Sequence, residues 1–166
     1  MNVKTRFAPS PSGNLHIGGA RTALFNYLFS KYNDGDFFIR IENTNLKKSS
    51  DESVLAIKES LNWLNIVPTS KIKFQSDNFS KHLNVAFNLV KEGYAYKCYL
   101  SDDELDVLRK KSRINGRPIK SPYRDEINNN SSREFVIRLK MPDKGHTIIK
   151  DIVQGEIKVR NDILDD

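Results

Sequence analysis

The sequence has one cysteine and no long apolar run, and these two shortages exclude several classes of protein. Cys98 is alone among 166 residues, so the chain has no intramolecular disulfide and no cysteine-rich zinc site. No apolar stretch approaches the ~18–20 residues that a membrane span needs, so we expect no membrane partner. The first residues contain no apolar signal-peptide core, and we therefore expect a cytoplasmic protein.

Size and composition indicate a folded, globular chain. With 166 residues, we expect one domain or one domain that carries an insertion. The hydrophobic fraction of 38% and the charged fraction of 29% are ordinary for such proteins and argue against intrinsic disorder. The net charge of +6 and the pI near 9.4 favour a polyanionic partner.

The first forty residues have the pattern of a β-α-β unit. Residues 3–8 can form a strand, and residues 9–14 must form a loop because two prolines and a glycine break regular structure. Apolar residues at positions 17, 20, 24, 27 and 28 have helical spacing, and the segment 34–36 ends that helix. A buried strand at 37–41 follows. A crossover of this kind joins parallel strands.

The pattern changes near residue 100. Ser50 is a predicted N-cap, before a helix with apolar residues at 54, 57, 61 and 64. A third helix has apolar positions 79, 83, 86, 87 and 90 and stops at Gly93. A strand at 95–100 precedes a capping box at 101–104, which opens a short charged helix. After Ser112 the helical rhythm is lost, and short strands are predicted at 134–139, 147–150 and 157–160. We therefore predict an α/β part at 1–100 and a smaller, mixed and basic part at 101–166.

Positive charge is concentrated in the segment 109–124, which lies in the second part. The segment contains no acidic residue between its ends, and such a run is either a solvated loop or a surface that contacts phosphates. The sequence leaves both interpretations open. Its basic residues are Arg109, Lys110, Lys111, Arg113, Arg117, Lys120 and Arg124.

The segment between the first strand and the first helix is one candidate site, because ligands bind at the carboxyl ends of strands in open α/β sheets. Gly18 and Gly19 keep side chains out of the first helical turn, where free N–H groups can bind an anion. At this helix end His16 is disfavoured from protonating and would donate a hydrogen bond to phosphate. Taken alone, a histidine here more often only starts the helix. The segment is neither a P-loop nor a Gly-x-Gly-x-x-Gly turn.

Arg6 and Glu42 form a second candidate site, because each lies at the carboxyl end of a predicted parallel strand. A guanidinium can hold a carboxylate in a bidentate pair, and a carboxylate can hold an ammonium group. Together the two side chains suit an amino acid. The alternative is that they pair with each other or point to solvent.

The whole string of residues 6–28 is much more specific than its parts. It closely resembles the first signature of bacterial and organellar glutamyl-tRNA synthetases, which are class I synthetases, and His16-Ile17-Gly18-Gly19 resembles their "HIGH" motif. Segments 40–45, 94–98, 136–140 and 161–166 resemble the same family in the same order, so the resemblance covers nearly the whole chain. The motif region consists of Pro9, Ser10, Pro11, Ser12, Gly13, Asn14, Leu15, His16, Ile17, Gly18 and Gly19.

The resemblance implies an α/β fold: the first half of a Rossmann-type parallel sheet, then part of a mixed α/β connective insertion that binds the tRNA acceptor stem. It implies that ATP, used with Mg²⁺, and glutamate give glutamyl-adenylate, and that glutamate then passes to tRNA(Glu), with tRNA(Gln) as a further candidate. It also implies a monomer in which the basic residues of segment 109–124 are candidate tRNA contacts. The implied glutamate contacts are Arg6, Ala8, Ser10 and Glu42, and the implied ATP contacts are His16, which is also catalytic, Gly18 and Gly19.

The chain departs from the family pattern in three places. Asn43 and Asn45 stand where the family usually has aspartates, which puts any tRNA or hydrogen-bond role of those residues in doubt. Only Cys98 remains of the zinc ligands that some members have, since Leu100 and Asp125 occupy further ligand positions, and we expect no bound metal. The sequence also stops inside the insertion, without the second, lysine-rich signature, so we expect a fragment that is inactive alone.

Three other functions remain open at this point. A paralogue that glutamylates a queuosine base of tRNA shares the opening string, but residues 18–24 favour the ligase. A glutaminyl synthetase differs in the loop at 9–13. A non-catalytic RNA-binding fragment would use the basic segment and activate nothing.

Overall fold

The computed structural model describes residues 3–45, 49–116, 118–126 and 132–166. The chain divides into two compact units, residues 1–80 and 81–166. No helix within the described ranges is long and apolar enough to cross a membrane. The elements are β1 (Lys4–Phe7), α1 (Ile17–Tyr32), β2 (Asp36–Ile41), α2 (Asp51–Trp63), β3 (Lys73–Phe74), α3 (Phe79–Lys91), β4 (Ala95–Cys98), α4 (Asp102–Asn115), β5 (Val136–Leu139), β6 (His146–Asp151) and β7 (Gly155–Arg160).

The first unit is a parallel sheet in the order β1-β2-β3, which confirms the predicted β-α-β start. Residues of β2 alternate between half-buried and buried along the strand, as expected where only one face of a strand is packed. Ser50 caps α2 as predicted, since its side chain accepts a hydrogen bond from the backbone N–H of Ser53 at 3.2 Å.

The core of this unit lies on one face of the sheet. Phe7 of β1 and residues 37, 39 and 41 of β2 pack against Ile57 and Leu61 of α2. Burial of side chains of this size stabilises the fold by ~1.5–3 kcal/mol each. The helix α1 contributes the small residue Ala23, whereas its apolar residues Leu24 and Leu28 are exposed. The spacing of apolar residues thus predicted the helix but not the side that packs on the sheet.

The second unit is built from antiparallel strand pairs and two helices. Strand β4 pairs with β5, and β6 pairs with β7. The capping box at the start of α4 is present, with Ser101 and Glu104 each bonded to the other's backbone N–H. The partner of β4 is some forty residues downstream, so β4 belongs to this unit. The compact division therefore falls before β4, whereas the boundary predicted from the sequence lies near residue 100.

Helix α4 is longer than the sequence indicated. It continues through the point where the apolar rhythm is lost and ends at Asn115, before Gly116, whose φ of 60° is left-handed. Glycine adopts this conformation without strain and commonly ends helices. The apolar side chain of Ile114 in the last turn is exposed, so the final turn forms without being packed through this residue.

Candidate functional site

His16 is the N-cap of α1. Its Nδ1 accepts a hydrogen bond from the backbone N–H of Gly18 at 3.1 Å, while its own carbonyl accepts from Ala20 at 3.0 Å. A neutral imidazole whose Nδ1 is an acceptor carries its proton on Nε2. The helix-start interpretation and the phosphate-donor interpretation are therefore compatible, because the cap leaves Nε2–H of an exposed side chain as the free donor.

Gly18 and Gly19 lie close to neighbouring side chains, which a Cβ at either position would displace. A Cβ on Gly18 would lie 2.9 Å from Cε1 and 3.1 Å from Nδ1 of His16, and a Cβ on Gly19 would lie 2.6 Å from Cδ1 of Leu15. The carbon–carbon distances of 2.9 and 2.6 Å are too short for an ordinary contact. The sequence suggested that these glycines admit a nucleotide. The structure adds a reason within the chain, since Gly18 leaves room for the His16 ring.

Glu42 is fixed beside the loop that precedes α1. Its backbone N–H donates to the carbonyl oxygen of Pro9 at 2.9 Å. This bond joins the carboxyl end of β2 to the segment that carries Ala8, which is half-buried, and Ser10, which is exposed. The fold thus brings the second candidate site next to the first.

The carboxylate of Glu42 is paired with Arg40 and not with Arg6. The distance from Arg40 Nη2 to Glu42 Oε1 is 2.7 Å. Arg6 is exposed and has no ion-pair partner in the part of the chain that the structure describes. The fold therefore does not contain an Arg6–Glu42 pair, whereas the exposed Arg6 side chain agrees with the other part of the alternative, that it points to solvent.

Arg6, Arg40 and Glu42 lie on the sheet face opposite the core. Arg6 is in register with Phe38, and residues 38, 40 and 42 alternate with the buried Ile39 and Ile41. This face and the N-terminus of α1 offer donors for a carboxylate, a carboxylate for an ammonium group and free N–H groups for a phosphate. Sequence reasoning missed Arg40, although its two-residue spacing from Glu42 in a strand was an available signal.

Asn43 keeps a structural role despite its departure from the family pattern. Its Nδ2 donates to Ser76 Oγ at 2.8 Å, and its Oδ1 accepts from the backbone N–H of Ser76 at 3.1 Å. An amide thus makes two bonds in this position without a charge. Asn45 is exposed, and its carbonyl accepts from the N–H of Ser49 at 3.0 Å.

The basic residues predicted to contact tRNA differ in exposure and in ion-pair partners where the structure describes them. Four of them lie exposed on α4, and Arg109 among these pairs with Asp106 at 2.8 Å. Lys120 pairs with Asp143, which lowers the pKa of that carboxyl through the hydrogen bond. Arg117 lies outside the described residues. The four residues on α4 are Arg109, Lys110, Lys111 and Arg113.

Arg124 is an interior residue of the second unit. Its side chain is 7% exposed and pairs with Asp166, whose side chain is 0% exposed. The Asp166 carboxylate also accepts from Tyr96 Oη at 3.0 Å and from the N–H of Met141 at 3.1 Å. Burial, together with this carboxylate, raises the pKa of Tyr96 to about 12. Arg124 is thus neutralised inside the protein, and its buried guanidinium is not placed to contact a nucleic acid.

Cys98 donates a hydrogen bond to Ser121. Its thiol lies 3.4 Å from Ser121 Oγ, and both residues are buried. Asp125 pairs with Lys140 at 2.6 Å. Within the described ranges, no three His, Cys, Asp or Glu side chains converge on a common point. The absence of zinc stays a prediction.

Comparison with known proteins identifies relatives along the whole chain. Residues 2–166 match the family "tRNA synthetases class I (E and Q), catalytic domain". The glutamate–tRNA ligase of Caulobacter vibrioides is 45% identical over 99% of this chain, and glutamate–tRNA ligase 1 of Orientia tsutsugamushi is 46% identical over 99%. The crystal structure of a glutamate–tRNA synthetase from Elizabethkingia anophelis covers all of this chain at 31% identity, with a TM-score of 0.85. The chain spans 35%, 36% and 38% of the lengths of these three relatives. Because the match extends over nearly every residue, the chain belongs to the catalytic-domain family of the class I tRNA synthetases for E and Q.

Proposed function

We propose that this chain, as part of a protein of the length of its relatives, activates glutamate with ATP and transfers it to tRNA. The observation that carries the proposal is the bond from the Glu42 N–H to the Pro9 carbonyl, which joins the two candidate sites. Relatives named glutamate–tRNA ligase, at 45–46% identity, support it.

In this proposal, the charged sheet face binds glutamate. Arg6 donates to a carboxylate of the amino acid, and Glu42 accepts from its ammonium group. Ala8 and Ser10 line the loop between these two charges. A substrate with both groups is held at two points, which orients its reacting carboxylate toward the N-terminus of α1.

The N-terminus of α1 is the proposed phosphate site. The substrate carboxylate attacks the α-phosphorus of ATP, the bond from that phosphorus to the pyrophosphate oxygen breaks, and glutamyl-adenylate and pyrophosphate result. The Nε2–H of His16, with the positive end of the helix dipole at Gly18 and Gly19, stabilises the charge that develops on the phosphate oxygens. Mg²⁺, which the family implies as a companion of ATP, would balance phosphate charge, and we assign no residue of this chain to it.

The second step joins glutamate to tRNA. A hydroxyl of the terminal adenosine attacks the carbonyl carbon of the adenylate, the bond from that carbon to the phosphate oxygen breaks, AMP leaves, and the hydroxyl proton passes to the leaving phosphate or to water. We propose that the exposed cations Lys110, Lys111 and Arg113 of α4 contact the phosphates of tRNA, whose binding would then weaken with salt. The preferred substrates are tRNA(Glu) and, as a second candidate, tRNA(Gln), and we propose a monomer in the cytoplasm.

The test is ATP–pyrophosphate exchange by the 166-residue chain and by the chain continued to the length of its relatives. With tRNA present, we expect glutamate-dependent exchange from the longer protein and none from the 166 residues alone. Aspartate and glutamine serve as control amino acids. Binding of tRNA without exchange in the longer protein would favour an RNA-binding module, and glutamylation of a queuosine base would favour the paralogue.

A further inference from the structure

We propose that Arg40 is a positioning residue for the amino-acid site: it holds one oxygen of Glu42 and leaves the other for the substrate's ammonium group. This inference rests on the proposed function. The contact from Arg40 Nη2 goes to Oε1 of Glu42 at 2.7 Å. A carboxylate held at one oxygen by a charge-assisted bond has fewer orientations, so its second oxygen is already directed before substrate binds.

The surroundings of Glu42 support this role, because hydrogen bonds hold its backbone N–H and the side chain of the next residue. The Glu42 N–H is bonded to Pro9, and the next residue, Asn43, makes two bonds to Ser76. The side chain is the remaining freedom. The Glu42 side chain is 34% exposed and would sample several rotamers on its own. The contact with Arg40, whose side chain is 29% exposed, restricts these rotamers.

The surroundings of Arg40 destabilise the fold when a guanidinium stands there, so the residue is explained only if its guanidinium has a function. Its Nε is buried and has no hydrogen-bond partner in the part of the chain that the structure describes. A buried donor without a partner lowers stability. Arg40 is also in register with a second basic residue, Lys73 of β3, and like charges on neighbouring strands repel each other. An apolar side chain would avoid both penalties, so the contact with Glu42 is what the guanidinium contributes.

The experiment measures steady-state ATP–pyrophosphate exchange, with saturating tRNA, in the protein continued to the length of its relatives. We expect Arg40→Met to raise the KM for glutamate about tenfold, equivalent to about 1.4 kcal/mol. The KM for ATP and kcat should stay within about threefold, because the lost orientation concerns glutamate binding. Arg40→Lys should recover part of the effect, since it keeps a cation near Glu42.

A double variant separates positioning from a structural role. If Arg40 acts through Glu42, Arg40→Met should change the KM for glutamate little in a Glu42→Gln background. Arg160→Met is the matched control, because Arg160 pairs with Asp162 at the same two-residue spacing, with Nε 2.9 Å from Oδ1. It should leave the KM for glutamate unchanged. Melting curves accompany all variants, and Arg40→Gln replaces Arg40→Met if the latter melts below the assay temperature.

Two results would overturn the proposal while leaving the proposed function intact. One is a KM for glutamate that is not raised in Arg40→Met: an unchanged KM would mean that Arg40 does not position Glu42, and a lowered KM would mean that Arg40 competes with substrate for Glu42. The other is an equal effect of Arg40→Met with and without Glu42. Absence of any glutamate-dependent exchange in the unmodified protein would instead overturn both.

Discussion

The substitution Gly18→Ala should impair catalysis while leaving the fold almost as stable as before. The new Cβ would lie 2.9 Å from Cε1 and 3.1 Å from Nδ1 of His16, so the ring must move. Loss of the cap costs about 1 kcal/mol, and replacing glycine by alanine in a helix gains up to about 1 kcal/mol. These terms oppose each other, and we expect a net change in the free energy of unfolding within about 1 kcal/mol.

The effect on adenylate formation should be much larger. A displaced His16 no longer presents Nε2–H to the phosphate, and loss of one preorganised donor lowers a rate by about 10²–10³-fold, or about 2.7–4 kcal/mol. Rapid-quench measurement of glutamyl-adenylate, in the protein continued to the length of its relatives, reports this rate. A melting curve on the same sample reports the stability.

The His16→Ala background provides the decisive control. Once the imidazole is gone, the alanine at position 18 has nothing to displace, so the double variant should be as slow as His16→Ala alone. A near-normal rate of adenylate formation in Gly18→Ala would refute the reasoning. So would a further large loss in the double variant, because Gly18 would then act on the nucleotide directly.

Three more outcomes follow from the same contacts. Arg6→Ala should raise the KM for glutamate about 10- to 150-fold, equivalent to about 1.5–3 kcal/mol, and leave the KM for ATP nearly unchanged; equal changes in both would make Arg6 a structural strand-end residue. His16→Ala should lower kcat by about 10²–10³-fold with the KM for ATP within a few-fold, whereas early melting with normal activation would falsify the catalytic assignment. Because the pKa of Tyr96 is raised from 10 to about 12, Tyr96 ionises first in the unfolded chain, so the stabilisation that the Tyr96 phenol provides, on the order of 2–3 kcal/mol, is complete below pH 10 and lost by pH 12; urea titrations should show this decline in the wild type and a shallower one in Tyr96→Phe.

The sequence predicted those parts of the fold that depend on neighbouring residues. The β-α-β start, the Ser50 cap and the capping box at Ser101 and Glu104 are local patterns, and all three are present. The pairing of β4 with β5 joins residues some forty positions apart, and no local pattern specifies such a partner. For this reason β4 was placed in the first part of the chain.

The candidate site shows the same division between local and distant information. His16, Arg6 and Glu42 could be named because they end strands or begin a helix within a recognisable string. The hydrogen bond between Glu42 and Pro9 depends on β1 and β2 lying side by side, and the role of Arg40 depends on the direction of a side chain. Alternation along the strand predicts a shared face for residues 40 and 42, but not which basic residue binds the carboxylate.

The basic segment illustrates why a charge count does not identify a nucleic-acid surface. Arg124 and Lys120 add to the count as much as Lys110 and Arg113 do, yet their charges are balanced by Asp166 and Asp143, which lie outside the segment. Long-range attraction for phosphates depends on the net local charge, so a paired and buried arginine contributes little to it. A helix face is different, because its side chains point to solvent. The cations of α4 therefore carry the proposed contact with tRNA, whereas Arg124 stabilises the unit on which α4 is built.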